Sequence, residues 1–121
     1  MFQVQADKSR QLLRIGFAQH VGPEETKSLF DKVEKLLPEL QPGFALLSDL
    51  SGLETMDIAC APFISRVMDL CNEKGIATVV RVIPDPRKDI GLNILTLFHY
   101  SRKVRVVTCE TLDEAAKILP L

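Results

Sequence analysis

The stretch FALLSDLSGLETMDIACAPF, residues 44–63, decides the fold of this chain. It begins with an apolar run, passes two aspartates, Asp49 and Asp57, and then turns into small residues and a proline. A continuous apolar run is typical of a strand that is covered by helices on both faces of a sheet. The stretch therefore predicts a buried strand, then a polar surface loop over residues 49–57, then a helix.

The segments on either side predict a small α/β domain. FQVQA and LLRIGF alternate apolar and polar residues, which predicts an antiparallel hairpin turned by DKSR. IATVVRV and KVRVV are apolar runs that predict two further strands. Helical spacing of apolar residues predicts four helices: one from Pro23 to Pro38, one ending at Gly75, one carrying Ile90, Ile94, Leu97 and Phe98, and TLDEAAKIL.

The order of these elements sets the expected topology. After the hairpin each strand is followed by a helix, which predicts parallel strands joined by right-handed crossovers. We therefore expect an α/β fold with a mixed, largely parallel sheet of about five strands, an N-terminal antiparallel hairpin, and about four helices on its two faces. At 121 residues the chain fits a single domain, residues 1–121.

Composition excludes several classes of protein. The chain has 15 basic and 16 acidic residues, which argues against nucleic-acid binding because nucleic-acid binders are usually strongly basic. Its N-terminal segment lacks the pattern of a signal peptide, and no apolar run approaches the roughly eighteen residues that a membrane span needs. We expect a cytoplasmic protein with no nucleic-acid partner and no membrane span.

The sequence also lacks the motifs of catalytic and cofactor-binding sites. Cys60, Cys71 and Cys109 are odd in number and form no CxxC pair, so we expect reduced, buried thiols and no metal site. The six glycines form neither a P-loop nor a dinucleotide fingerprint, and no serine lies in a nucleophile elbow. These observations predict that the protein is not an enzyme and needs no cofactor.

Asp49 and Asp57 leave two interpretations open. Paired carboxylates serve general acid–base catalysis when they lie close together and one of them is in an apolar setting. In the structural interpretation, which we expect, Asp49 accepts hydrogen bonds from loop amides and Asp57 caps a helix. His20 and His99 have no partner at metal-ligand spacing, so structural roles are expected for them as well.

A basic segment, RVIPDPRKD, follows a predicted strand. Its cations Arg81, Arg87 and Lys88 flank two prolines, and ligands of parallel sheets bind beyond the carboxyl ends of the strands. With Arg102 and Lys103 they constitute a hypothetical anion-binding patch. The alternative is a solvated, charged loop.

The length, the order of elements and the segment LLSDLSGLETMD before a helix resemble the STAS domain, the fold of bacterial anti-sigma-factor antagonists. In that family an apolar strand is followed by an aspartate, an apolar loop position, and then Asp-Ser-Ser-Gly at the helix start. Asp49, Leu53 and Asp57 match the first aspartate, the apolar position and the second aspartate. The order of elements resembles that of the family over almost the whole chain, whereas the matching sequence motif is only about ten residues long.

This sequence departs from the family pattern at the position of the phosphorylated serine. Ile58 occupies that position, and Ala59 and Cys60 follow where the family has serine and glycine. Isoleucine has no hydroxyl group to phosphorylate. The resemblance therefore implies a member without the usual switch, or one that uses Ser51 or Thr55 instead.

Two functions remain after these exclusions. The resemblance implies a non-catalytic regulatory domain that binds an anti-sigma factor or a kinase-like regulator through Asp49, Ser51, Asp57, Ile58 and Ala59. The alternative is a domain that binds a small apolar or acidic ligand between the third helix and the sheet, since the closing segment VRVVTCETLDEAAKIL resembles the broader STAS and CRAL-TRIO-related group. The sequence leaves open whether the domain forms a homodimer.

Overall fold

The structure is a computed structural model that describes residues 1–89 and 91–121, except for the side chains of residues 88, 89 and 93. Its strands are β1 (Phe2–Asp7), β2 (Leu12–Val21), β3 (Ala45–Met56), β4 (Thr78–Val82) and β5 (Arg105–Cys109). Its α-helices are α1 (Pro23–Leu36), α2 (Ala61–Lys74), α3 (Leu92–His99) and α4 (Leu112–Ala116). Short 3-10 turns lie at Leu37–Glu39, Ile58–Cys60 and Pro86–Asp89.

The strands form one mixed sheet in the order β1-β2-β3-β4-β5. β1 and β2 are antiparallel, and the other three pairs are parallel. Asp7 holds the turn of the opening hairpin, because its carboxylate accepts hydrogen bonds from Ser9 and Arg10. These bonds lower the pKa of Asp7 to about 2. The fold class predicted from the sequence is confirmed.

Two apolar clusters hold helices on the two faces of the sheet. The larger one packs α1, α2 and α3 against one face, and Leu46 and Val79 lie in it side by side on adjacent strands. The smaller one packs α4 against the other face over Leu47 and Val80. Because successive strand residues point to opposite faces, the continuous apolar runs of β3 and β4 serve both clusters.

The ends of the first two helices follow from their sequences. Gly22 precedes α1, Pro23 occupies a first-turn position where no amide hydrogen is needed, and the side chain of Glu25 accepts a hydrogen bond from the Gly22 amide. α2 ends at Gly75, whose φ of 95° lies in the left-handed region that glycine adopts without strain. The buried residues of α2 are the predicted ones: Ile64, Val67, Met68 and Cys71.

α3 is a helix as predicted, but it is rotated so that most of its apolar residues face outward. Leu92 is buried, Thr96 accepts a hydrogen bond from Arg81, and His99 bonds to Asp69 of α2. These contacts fix the inner side of the helix. Three apolar residues fall on the outer side: Ile94, Leu97 and Phe98 are 63%, 80% and 77% exposed. Ile90, the fourth residue of the predicted stripe, lies outside the described residues.

Replacing Leu46 by alanine tests the placement of the central strands. Leu46 is 4% exposed, so Leu46→Ala leaves a cavity and should lower the free energy of unfolding by about 2 to 5 kcal/mol in a denaturant melt. The matched control is Leu97→Ala, at an exposed helix position, with an expected change of about 0.5 kcal/mol or less. Equal losses at the two positions would contradict this assignment of the core.

Candidate functional site

The polar segment after Asp49 is a strand, and the prediction of a loop over residues 49–57 is wrong. β4 pairs with β3 only as far as Asp49, opposite Val82. β3 nevertheless continues to Met56 because it stays paired with β2. Leu50 and Leu53 explain the extension, since they are 1% and 4% exposed and remain in the larger cluster.

Two bulges hide this extension from a reading of periodicity. Between the pairs Gly16–Asp49 and Ala18–Gly52, β3 has one residue more than β2. It has another extra residue between the pairs Gln19–Leu53 and His20–Thr55. At the second shift Gln19 has a φ of 58°, which is unusual for a residue with a side chain. An inserted residue breaks the alternation of apolar and polar positions. The end of β3 is therefore a two-stranded ribbon with β2.

The two aspartates have the structural roles that we expected. Asp49 Oδ1 accepts hydrogen bonds from the Ser51 amide at 2.9 Å and from Ser51 Oγ at 2.6 Å. Asp57 Oδ1 accepts one from the Ala59 amide at 2.9 Å, which caps the 3-10 turn that leads into α2. Each carboxylate thus stabilises its own segment through local hydrogen bonds.

The start of α2 presents Ile58 to solvent. The Asp57 amide donates to Val21 O at 3.0 Å and the Cys60 amide donates to Asp57 O at 2.9 Å, so both sides of the turn are fixed. Cys60 is fully buried beneath it, whereas Ile58 is 90% exposed. Ala59 is exposed as well. The isoleucine therefore protrudes from a rigid turn.

A groove of about 240 Å³ lies beside Ile58, between the start of α2 and α3. Apolar side chains and a single carboxylate line it: Met56, Asp57, Ile58, Ala61, Ile64, Leu92 and Leu95. Sequence reasoning identified Asp57 and Ile58 but missed the groove. Its walls come from segments that are distant in the sequence, and the inward rotation of Leu92 and Leu95 follows from packing that periodicity does not specify.

Arg81 does not belong to the hypothetical anion-binding patch at the surface, because it lies in β4 and is 2% exposed. It shares the inner face with Val79 because residues two apart on a strand point the same way. Arg87 is exposed and forms a salt bridge with Asp85 at 2.9 Å. The side chain of Lys88 lies outside the described residues.

Arg81 and Tyr100 line an internal cavity between the sheet, α2 and α3. The cavity measures about 40 Å³, which is room for about one water molecule. Sites for small ligands usually measure about 300 Å³ or more. Burial raises the pKa of Tyr100, so its hydroxyl stays protonated at neutral pH.

The histidines and cysteines have structural surroundings. His20 Nδ1 lies 2.7 Å from Thr55 Oγ1, and His99 Nδ1 lies 2.7 Å from Asp69 Oδ1. All three cysteines are free and buried, as predicted, and burial raises the pKa of Cys71 to about 12. In the described ranges no cluster of three or more potential ligands is placed to hold a metal ion. No helix there is long and apolar enough to cross a membrane.

Solved structures with the same architecture include a DUF3478-family protein with a SpoIIAA-like fold from Shewanella loihica PV-4, with a TM-score of 0.74 and 13% identity over 98% of this chain and 93% of that one. An anti-sigma factor antagonist from Mycobacterium paratuberculosis has a TM-score of 0.60 and 18% identity, over 100% of this chain and 96% of that one. A third match is a chain of the complex between the diguanylate cyclase SiaD and its activator SiaC from Pseudomonas aeruginosa. Its TM-score is 0.58 and its identity is 15%, over 90% of this chain and 93% of that one. No protein-family model and no curated protein matches this chain.

These likenesses establish the fold. All three chains are at most 18% identical to this one, yet each aligns with at least 90% of it. This protein therefore has the SpoIIAA-like fold, which is the architecture that the resemblance to a STAS domain implied.

Removing the carboxylate of Asp57 tests its role at the start of α2. Asp57→Ala should lower the free energy of unfolding by about 1 kcal/mol, because the Ala59 amide loses its acceptor. Asp57→Asn keeps a side-chain oxygen in the same place and should recover most of that loss. Denaturant melts of the two variants give the comparison, and equal stabilities would show that the cap contributes nothing.

Proposed function

We propose that this chain is a non-catalytic regulatory domain that binds a protein partner through the end of β3 and the start of α2. The contact residues are Asp49, Ser51, Asp57, Ile58 and Ala59, together with the groove beside them. The partner is an anti-sigma factor or a kinase-like regulator, and the domain acts in the bacterial cytoplasm.

The observation that carries this proposal is the 90% exposure of Ile58 next to an apolar groove. An isoleucine that protrudes from a capped turn contributes nothing to the core. Exposed apolar side chains beside a groove with polar neighbours are typical of a protein contact, in which a few central apolar residues supply most of the affinity. Asp57 and Ser51 belong to the polar rim.

Solved structures of the same fold support a protein as the partner. One of them is an anti-sigma factor antagonist, and another comes from a complex between an activator and the enzyme that it activates. In both descriptions the named role is the control of another protein. We extend that role to this chain because the contact surface and the fold occur together here.

The usual phosphorylation switch is absent from the proposed contact, because Ile58 occupies the position of the serine that is phosphorylated in STAS domains. Ser51 and Thr55 are the exposed hydroxyls nearby. Ser51 Oγ already donates to Asp49, and a phosphate there would lie against a carboxylate, which is repulsive. Thr55 Oγ1 lies 2.7 Å from His20 instead. If the switch has moved within the segment, Thr55 is the better candidate.

The small-ligand alternative is less well supported. The cavity between α3 and the sheet, where an apolar ligand would lie, measures only about 40 Å³. An acidic head group would need Arg81 to be accessible, and Arg81 is 2% exposed and donates to Thr96. Binding would therefore require α3 to separate from the sheet and expose the larger cluster.

Ile58→Asp tests the proposed contact. The new carboxylate lies near a helix start and is solvated in the free protein, so the melting temperature should stay within a few degrees of wild type. In an apolar interface the same charge loses its water, which costs about 2 kcal/mol, or roughly thirtyfold in affinity. The measurement is affinity capture from a bacterial lysate, with the captured proteins identified and quantified by mass spectrometry.

Leu112→Asp is the matched control, since Leu112 is 41% exposed at the start of α4 on the opposite face of the sheet. A genuine partner should be captured by wild type and by Leu112→Asp, and lost with Ile58→Asp. Strong destabilisation by Ile58→Asp would place the side chain in the core. Unchanged capture by a stable Ile58→Asp would move the contact elsewhere on the molecule.

A further inference from the structure

α3 carries an apolar ridge that the proposed protein contact does not use. Leu97 and Phe98 lie three and four residues after Ile94, which places all three on one side of the helix, and between 63% and 80% of each residue is exposed. We call these three residues the α3 ridge. The helix is about 12 Å long, so the ridge occupies most of its outer side. Unlike the groove beside Ile58, it is convex.

The ridge is held in a fixed position by polar contacts on the inner side of α3 and just after it. Arg81 donates to Thr96 Oγ1 at 2.6 Å, and His99 bonds to Asp69 at 2.7 Å. Beyond the helix, the Ser101 amide donates to Asn72 Oδ1 at 2.8 Å. These bonds join α3 to β4 and to α2. Burying the ridge by rotating the helix would break them.

The chain segment that contains the same helix carries a net positive charge, although Arg87 within it is paired with Asp85. Residues 86–105 contain five cations and one carboxylate, a net charge of +4, whereas the whole chain carries −1. The rest of the chain therefore has a net charge of −5. Arg102 and Lys103 lie exposed in the turn just after α3, and in the part of the chain that the structure describes neither has a carboxylate within salt-bridge distance.

The geometry points to a second activity of this protein: it docks peripherally on an anionic lipid surface through the α3 ridge, with Arg102 and Lys103 contacting the head groups. Amphipathic helices bind in this way, with the apolar side in the acyl boundary and the cations at the head groups. The proposed protein contact is not required for this activity. Docking leaves the helix lying on the surface and needs no membrane span.

A lipid surface fits the ridge better than an acidic protein does. Protein contacts place anchoring side chains in pockets of complementary shape, so an acidic protein would have to provide matching pockets for the three ridge residues. A bilayer accepts a convex ridge without matching its shape. Its anionic head groups also complement the net positive charge of residues 86–105.

Co-sedimentation of the full chain with lipid vesicles tests the proposal. Wild type should bind phosphatidylglycerol vesicles at least about tenfold more tightly than phosphatidylcholine vesicles, and added salt should release it. The double variant Leu97→Gln with Phe98→Gln should weaken binding at least about tenfold, because it removes the inserted apolar groups. The double variant Arg102→Gln with Lys103→Gln should bind phosphatidylglycerol vesicles about fivefold more weakly for each charge removed, and its binding to phosphatidylcholine vesicles should not change.

Two controls accompany these variants. Leu112→Gln changes an exposed leucine on the opposite face of the sheet and should bind vesicles like wild type. Circular dichroism should show the same helix content for all variants, since every replaced side chain is exposed. Equal binding of wild type to both lipids, or unchanged binding by folded Leu97→Gln with Phe98→Gln, would overturn the proposal. Loss of a captured protein by that variant, while wild type ignores vesicles, would overturn it as well and would assign the ridge to a protein contact.

Discussion

The pairing of β3 with β4 is the constraint on which the rest of the structure depends. Leu46 lies beside Val79 on one face, and Leu47 beside Val80 on the other, so this pair of strands must be covered on both sides. α1, α2 and α3 cover one face and α4 the other. The directions of α1, α2 and α3 follow, since each of these crossovers has to return the chain to the same edge of the parallel strands.

The candidate contact exists because this pairing ends early. β4 leaves the sheet at Val82, while β3 continues for seven residues beyond Asp49 with β2 as its partner. The ribbon of β2 and β3 therefore extends beyond the end of β4 before the chain enters α2. Asp57 and Ile58 consequently project beside α3, where Leu92 and Leu95 complete the groove.

Much of this could be predicted from the sequence, because apolar spacing reports burial directly. The runs of β3 and β4, the buried side of α2 and its end at Gly75 were all predicted. The ribbon is not evident from periodicity because the first bulge places Leu50 and Leu53 three residues apart, which is not strand spacing. Arg81 lies near the end of the predicted strand IATVVRV and also begins the hypothetical anion-binding segment, and no local pattern indicates that a cation within an apolar strand will be buried beneath a helix.

The side of α3 that faces the sheet cannot be predicted from apolar periodicity, for a different reason. Ile94, Leu97 and Phe98 have the same spacing whether they face the sheet or the solvent. The choice is made by Arg81, Thr96, His99 and Asp69, whose hydrogen bonds join positions 15 and 30 residues apart. Such pairs are set by the folded sheet and leave no local signature in the sequence.

The early end of β4 also separates two levels of stability within one strand. Up to Asp49 the residues of β3 lie between two neighbouring strands, so exposing their amides requires the sheet itself to come apart. From Leu50 to Met56 a single neighbour remains, and opening there breaks only the contact with β2. Amide hydrogen exchange along β3 should accordingly divide into a slow half and a faster half. The segment that we propose as a partner contact can therefore open locally while the core stays folded.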